Sequence, residues 1–256
     1  VNSIVVRVDN EKAPNARWYA GCGIYCYFHF IVKNKINFDQ WGIFVKTPQI
    51  TNDFATVAVE AAVNNNTDSE TDAAVNFAIV DMEGKQVASA SRKVNLPANE
   101  QVKVKQPVIN VENPSLWSPE SPYLYKLISK IVVDGKVKHS QETRFGIRSL
   151  RFDADEGFFL NGKHTKLKGV CEHSDGGLVG AAIPEKVLRR RLRILKDMGC
   201  NAIRTAHNPR RPIFYDLCDE MGFMIMDEIF DGWHRKTRYG YGALFFDDWW
   251  KIDVRD

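Results

Sequence analysis

The fold is decided by three short apolar runs: TKLKGVCEHSD (residues 165–175), NAIRTAHNP (residues 201–209) and FMIMDE (residues 223–228). Each run ends in charged or imidazole side chains, and two longer segments with apolar residues at helical spacing separate the runs. Short apolar strands that alternate with helices are typical of βαβ units in a parallel sheet. The sequence therefore predicts parallel strands joined by helices, with the first strand beginning at Thr165.

Proline and glycine mark the ends of the predicted helices. The first helix is expected from Pro184 to about Met198 and is followed by Gly199, whereas the second begins at Pro212 and stops at Gly222. Proline suits a first turn because its missing N–H needs no partner there, and glycine suits the left-handed residue just past a helix.

Charged and imidazole residues collect at the predicted strand ends. They are Glu172, His173, Asp175, Arg204, His207, Asp227 and Glu228. In a (β/α)8 barrel the functional groups lie where strands end and loops begin. An open doubly wound sheet would also place groups there, but its tight phosphate-binding glycine turn is missing, because Asp175-Gly176-Gly177 lies in a long loop. We therefore predict the first part of a TIM (β/α)8 barrel over residues 148–256.

The remainder of the chain alternates apolar and polar residues as β-strands do. Residues 48–147 hold about seven short strands separated by turns, which indicates an immunoglobulin-like β-sandwich. Residues 1–47 add strands near 26–32 and 41–47, too few to close a sandwich of their own. We expect them to be the end of a β domain whose beginning is missing, so the predicted fold class is multidomain β plus α/β.

Composition excludes several partners. The net charge of +3 is too small to indicate nucleic acid or an acidic membrane, and no apolar run approaches the roughly 20 residues that cross a bilayer. We interpret the arginines at 189–191 and 193 as a solvated helix face. We expect no structural metal and no disulfide framework, with a Cys22–Cys26 bridge left as an alternative. The five cysteines are Cys22, Cys26, Cys171, Cys200 and Cys218.

Seven stretches carry a family resemblance in collinear order. They are RWYAGCGIY (17–25), LWSPESPYLY (116–125), FGIR (145–148), FLNGK (159–163), KGVCEH (168–173), NAIRTAHNP (201–209) and Asp227-Glu228. With them the chain resembles glycoside hydrolase family 2, the β-galactosidase and β-glucuronidase group. The resemblance implies the C-terminal part of a jelly-roll sugar-binding domain over 1–47, an immunoglobulin-like sandwich, and a TIM-barrel catalytic domain.

The resemblance also implies a reaction. The family hydrolyses terminal β-linked sugars with retention, using one carboxyl group as acid/base and a second as nucleophile about 5–5.5 Å away. In the family both are glutamates of later barrel strands, so we expect them C-terminal to Asp256 and expect this segment alone to be inactive. We favour a β-galactosidase over a β-glucuronidase or β-mannosidase. A non-catalytic carbohydrate-binding or scaffold module is the alternative of a different class.

Two histidines and an arginine are the principal binding candidates. His173 and His207 match family histidines that hydrogen-bond the sugar, a task that suits imidazole because it can donate and accept. Arg204 matches an arginine beside the nucleophile, and an ion pair with Asp227 or Glu228 is its alternative role. Because successive strand residues point to opposite faces, these two acids cannot both face one sugar, and we assign them a supporting role.

The resemblance adds Asn15 and Trp233 as substrate-binding candidates. Some family members hold Mg²⁺ through a Glu-x-His pattern, but the corresponding stretch here is Asp231-Gly232-Trp233-His234. We therefore predict no metal and no other cofactor. The predicted partner is a β-linked oligosaccharide or glycoside, with no nucleic acid and no membrane. A homo-oligomer of the full-length protein and its compartment, whether periplasmic, secreted or cytoplasmic, stay open.

Overall fold

The computed structural model describes residues 3–7, 24, 28–230, 233 and 246–255. The chain forms two compact units, one of residues Ile31–Lys166 and the other of Val1–Phe30 together with Leu167–Asp256. No helix in the described part of the chain is long and apolar enough to span a membrane.

The first unit is built around an antiparallel β-sandwich. The strands are β1 (Ile36–Ile50), β2 (Phe54–Asn65), β3 (Thr71–Val80), β4 (Gln86–Leu96), β5 (Glu100–Glu112), β6 (Tyr125–Val133) and β7 (Lys136–Phe145). One sheet has the strand order β1-β2-β5 and the other the order β4-β3-β6-β7. Side chains from both sheets, among them Val59, Phe77 and Leu127, pack into one buried core.

A small antiparallel meander ends this unit. It consists of β8 (Leu150–Asp153), β9 (Gly157–Leu160) and β10 (Lys163–His164). The turn before β10 uses Asn161 and Gly162 with φ of 52° and 74°, the positive values that a two-residue hairpin of this kind needs.

The N-terminal strands differ from expectation. The strand expected near 41–47 forms within β1, but β1 pairs with β2, a strand that the predicted boundary at residue 47 assigns to the next domain. Residues 28–32, where another strand was expected, have no regular structure. Alternation of apolar residues indicates a strand but not its partner, because pairing is set by contacts distant in sequence. The split into jelly-roll and immunoglobulin-like domains stays a prediction.

The second unit contains the predicted parallel sheet. Its strands β11 (Gly169–Glu172), β12 (Ala202–Thr205) and β13 (Met224–Asp227) are parallel neighbours in that order, which confirms the βαβ prediction. Helix α1 (Glu185–Asp197) connects the first pair, α2 (Pro212–Met221) connects the second, and α3 is Phe246–Arg255.

Strand β11 begins later than predicted and packs closely against β12. The first strand starts at Gly169 rather than at the predicted Thr165. A side-chain Cβ at Gly169 would lie 2.2 Å from the carbonyl oxygen of Ala202, so only glycine allows this approach. Both helices end as predicted, since Gly199 and Gly222 have φ of 83° and 74°.

His139 gives the sandwich a predicted pH dependence. Its Nδ1 accepts a hydrogen bond from the Phe38 backbone N–H at 3.2 Å, and burial, aided by the charge of Lys33, lowers the pKa of His139. The folded state therefore binds this proton less readily than the unfolded state, so stability falls as pH drops below 6.5 and through the folded pKa. We expect a loss of about 1 kcal/mol, the worth of one hydrogen bond.

The measurement compares thermal melting at pH 7.5 and about pH 5 for the wild type and His139→Gln. Glutamine cannot titrate, so the variant is expected to show a smaller difference between the two pH values. Equal differences in both proteins would show that His139 does not carry the effect.

Candidate functional site

The register of the parallel sheet brings the strand ends together. Glu172, Thr205 and Asp227 lie opposite one another, and the Ala206 N–H donates to the Glu172 carbonyl at 2.9 Å, which extends the ladder by one residue. His173 directly follows Glu172, and His207 directly follows Ala206. Their ring centroids lie 5.4 Å apart, and the rings meet edge to face at 79°.

Glu228 joins His207 to Arg204. One carboxylate oxygen of Glu228 lies 2.6 Å from His207 Nδ1, and the other forms an ion pair with Arg204. Because the carboxylate accepts at Nδ1, that nitrogen carries the proton. The His207 and Glu228 side chains retain 27% and 24% of their exposure, so the pair is accessible to a small molecule.

Two contacts, with Cys171 and with Glu228, fix the position of the Arg204 guanidinium. Its Nη1 lies 3.3 Å from Cys171 Sγ, and the hydrogen bond to Cys171, followed by that to Glu228, raises the pKa of Arg204. Of the two roles that the sequence left open, the ion pair is the one seen, with Glu228 as partner. A role beside the nucleophile stays a prediction.

Asp227 makes a separate set of contacts. It accepts hydrogen bonds from Thr205 Oγ1 at 2.5 Å and from the Tyr215 hydroxyl at 2.9 Å, while Thr205 Oγ1 accepts from the Glu228 N–H at 3.0 Å. Burial, with the Asp227 hydrogen bond, raises the pKa of Tyr215 to about 12. Asp227 thus connects β12, β13 and α2. Because Asp227 and Glu228 bind different side chains, the contacts favour the supporting roles predicted for these two acids.

Comparison with known families decides the relationship. The model of glycosyl hydrolases family 2 matches residues 40–148, and the TIM barrel domain of glycosyl hydrolases family 2 matches residues 153–235. The chain belongs to glycosyl hydrolases family 2. Its fold is accordingly a β-sandwich followed by the start of a TIM barrel domain.

The relatives of this family 2 chain carry two activity names. A protein of Formosa agariphila, named provisionally a β-glucuronidase, is 44% identical over 100% of this chain and 24% of its own length. The β-galactosidase BoGH2A of Bacteroides ovatus is 40% identical over 100% of this chain and 30% of its own length. A solved family 2 structure from Bacteroides cellulosilyticus has a TM-score of 0.89 at 38% identity, covering 94% of this chain and 31% of its own. The chain thus spans about a quarter to a third of these relatives.

Three residues of this family 2 chain make contacts near the strand ends that were not predicted from the sequence. Glu172 is only 8% exposed and pairs with Arg191, which also donates to the Asp175 carbonyl. The solvated face predicted for the arginine run is therefore wrong at Arg191. Its position three residues after the buried Leu188 could have revealed this, because such residues share a helix face. The third residue is Arg210, which donates to the carbonyls of both strand ends.

The remaining candidates either pack against other aromatic rings or fall outside the described residues. Trp233 is 60% exposed, and its ring packs on Phe230 and Phe246, which favours packing as its role. Within the described residues no group of three or more His, Cys, Asp or Glu side chains could hold a metal ion. The predictions that fall outside those residues concern Asn15, Cys22, Cys26, Asp231, Gly232 and His234.

The described cysteines, Cys171, Cys200 and Cys218, are free thiols. Cys218 is buried in the core of the second unit, and burial raises its pKa. A buried free thiol of this kind behaves as a small apolar residue.

Proposed function

We propose that the full-length protein is a retaining exo-β-glycosidase that hydrolyses terminal β-linked sugars. The observation that supports it is the convergence of His173, His207 and the Arg204–Glu228 pair at the carboxyl edge of parallel strands. Imidazoles at this edge can donate to and accept from sugar hydroxyls. The acid/base and nucleophile would be glutamates of the full-length protein outside this chain.

β-Galactosides are the proposed substrates. A β-glucuronide carries a carboxylate, which calls for an uncommitted cation in the pocket. Arg204 is already paired with Glu228, so we do not assign that role to Arg204. The second candidate is a β-glucuronidase, favoured by the names of relatives such as the 44% identical Formosa protein, and a β-mannosidase is a further alternative.

The test uses the full-length protein with chromogenic β-galactoside, β-glucuronide and β-mannoside. We expect the β-galactoside to have the highest kcat/KM and this chain alone to give no turnover. A preference for the glucuronide would select the second candidate. Binding of sugar without hydrolysis of any substrate would instead indicate a non-catalytic carbohydrate-binding module.

Removal of either histidine tests the site itself. We expect His173→Ala and His207→Ala each to lower kcat/KM by about 10–100-fold, because removing one partner of a buried hydrogen bond and leaving the other unsatisfied costs roughly 1–3 kcal/mol. Steady-state kinetics with the best substrate measure the loss. His164→Gln is the control, since His164 is an exposed residue of β10. Losses below twofold in both alanine variants would refute the proposed site.

A further inference from the structure

We infer that Arg210 is a positioning residue that sets the separation of His173 and His207. The guanidinium Nη2 of Arg210 donates to the backbone carbonyls of Glu172 and, at 3.1 Å, Ala206. These two carbonyls belong to the residues that immediately precede the two histidines. One side chain is therefore bonded to both turns from which the imidazoles project.

Arg210 is itself held in place by its own loop. Its Nη1 donates to the Asn208 carbonyl at 2.9 Å and also to the Asn208 side chain. The Arg210 backbone N–H donates to the Tyr215 hydroxyl at 2.8 Å, and Tyr215 is in turn bonded to Asp227. Arg210 is thus connected through Tyr215 of α2 to Asp227 at the end of β13. Because Arg210 also bonds to the residues that precede both histidines, a change in its position would move both imidazoles.

The contacts require the shape of arginine as well as its charge. A guanidinium presents several N–H groups in a fixed plane, which allows it to reach carbonyls on two segments and its own loop at once. The ammonium of lysine is a single centre on a flexible stem and cannot reproduce this fork. Burial lowers the pKa of Arg210, and the charge of Glu172 acts against this shift. The pKa shift plays no part in the positioning role inferred for Arg210.

The inference rests on the proposed function, because it concerns the histidines proposed to bind the sugar. In the full-length protein we expect Arg210→Met and Arg210→Lys each to lower kcat/KM by about 10-fold to 10²-fold, the cost of moving binding groups by about 1 Å. The melting temperature of Arg210→Lys is expected to stay near that of the wild type. Arg190→Met is the control, because Arg190 is an exposed residue of α1, and it should keep wild-type activity.

Crystal structures of both Arg210 variants give the deciding readout. We expect the His173 and His207 ring centroids to depart from their separation of 5.4 Å in each variant. An unchanged separation would overturn the inference, as would full activity of Arg210→Lys, and the lysine variant carries the test if the methionine variant does not fold. Because ring separation is measured without a substrate, it decides this inference even if the wild type hydrolyses no glycoside.

Discussion

Replacing Arg191 with methionine is expected to destabilise the parallel sheet by about 3–5 kcal/mol, the cost of leaving a buried charge without its partner. Glu172, at the end of β11, is 8% exposed, and one of its oxygens pairs with Arg191. Its other oxygen has no hydrogen-bond partner within the described residues. Methionine fills much of the same space but offers no charge, so the Glu172 carboxylate would stay buried with only the charge of Arg210 nearby or take up a proton.

The substitution Glu172→Gln is expected to lower the stability of the parallel sheet by less than Arg191→Met does. Arg191 keeps 27% of its side-chain exposure, so in Glu172→Gln its guanidinium can still reach water. The loss of stability should therefore be larger for Arg191→Met than for Glu172→Gln, and the double variant should recover part of the loss because it no longer buries the Glu172 carboxylate without Arg191.

Hydrogen exchange of the β11 and β12 amides measures this local stability without requiring the whole chain to unfold in one step. Arg193→Met is the matched control, since Arg193 is an exposed arginine of the same helix and its loss should change exchange little. Equal effects of Arg191→Met and Arg193→Met would contradict the assignment of the ion pair.

Local sequence signals were sufficient for the parallel unit. Short apolar runs, helix periodicity and the glycines after each helix depend on neighbouring residues only, and these predicted β12, α1 and α2 nearly to their observed ends. The pairing of β1 with β2 could not be predicted in this way, since a strand's partner depends on contacts between residues far apart in sequence. The start of β11 at Gly169 depends on a backbone contact with Ala202, which also has no local signal.

The same distinction applies to the candidate site. The parallel register guarantees that strand ends meet, so the grouping of His173, His207 and Glu228 could be predicted from strand positions alone. Arg210 donates to backbone carbonyls. Because every residue has such a carbonyl, this contact cannot be predicted from a pattern of side chains in the sequence. Its role depends on how the loop of residues 206–211 folds, which only the structure provides.

Replacing Glu228 with alanine is expected to lower kcat/KM of the full-length protein by about 10²-fold, the upper end of the loss expected for His207→Ala, or about 2.7 kcal/mol. The carboxylate fixes the proton of His207 on Nδ1 and neutralises Arg204. Without it the ring can rotate or change tautomer, and in a catalytic triad the loss of the carboxylate that orients a histidine costs about 10⁴-fold. The expected effect here is smaller because His207 is proposed to bind the sugar and not to relay a proton.

Steady-state kinetics of three variants separate orientation from charge. Glu228→Gln keeps an oxygen that can accept from His207 Nδ1 but loses the charge opposite Arg204, so its loss should be smaller than that of Glu228→Ala if orientation dominates. Glu220→Ala is the control, because Glu220 pairs with Arg189 on the helices and should leave kcat/KM unchanged. If the alanine and glutamine variants lose activity equally, the charge opposite Arg204 is the dominant contribution, and if neither loses activity, Glu228 does not support the histidine. A glutamine variant near the wild type would leave orientation of His207 as the function of this carboxylate, and the Arg204 ion pair would then serve the fold of the strand ends.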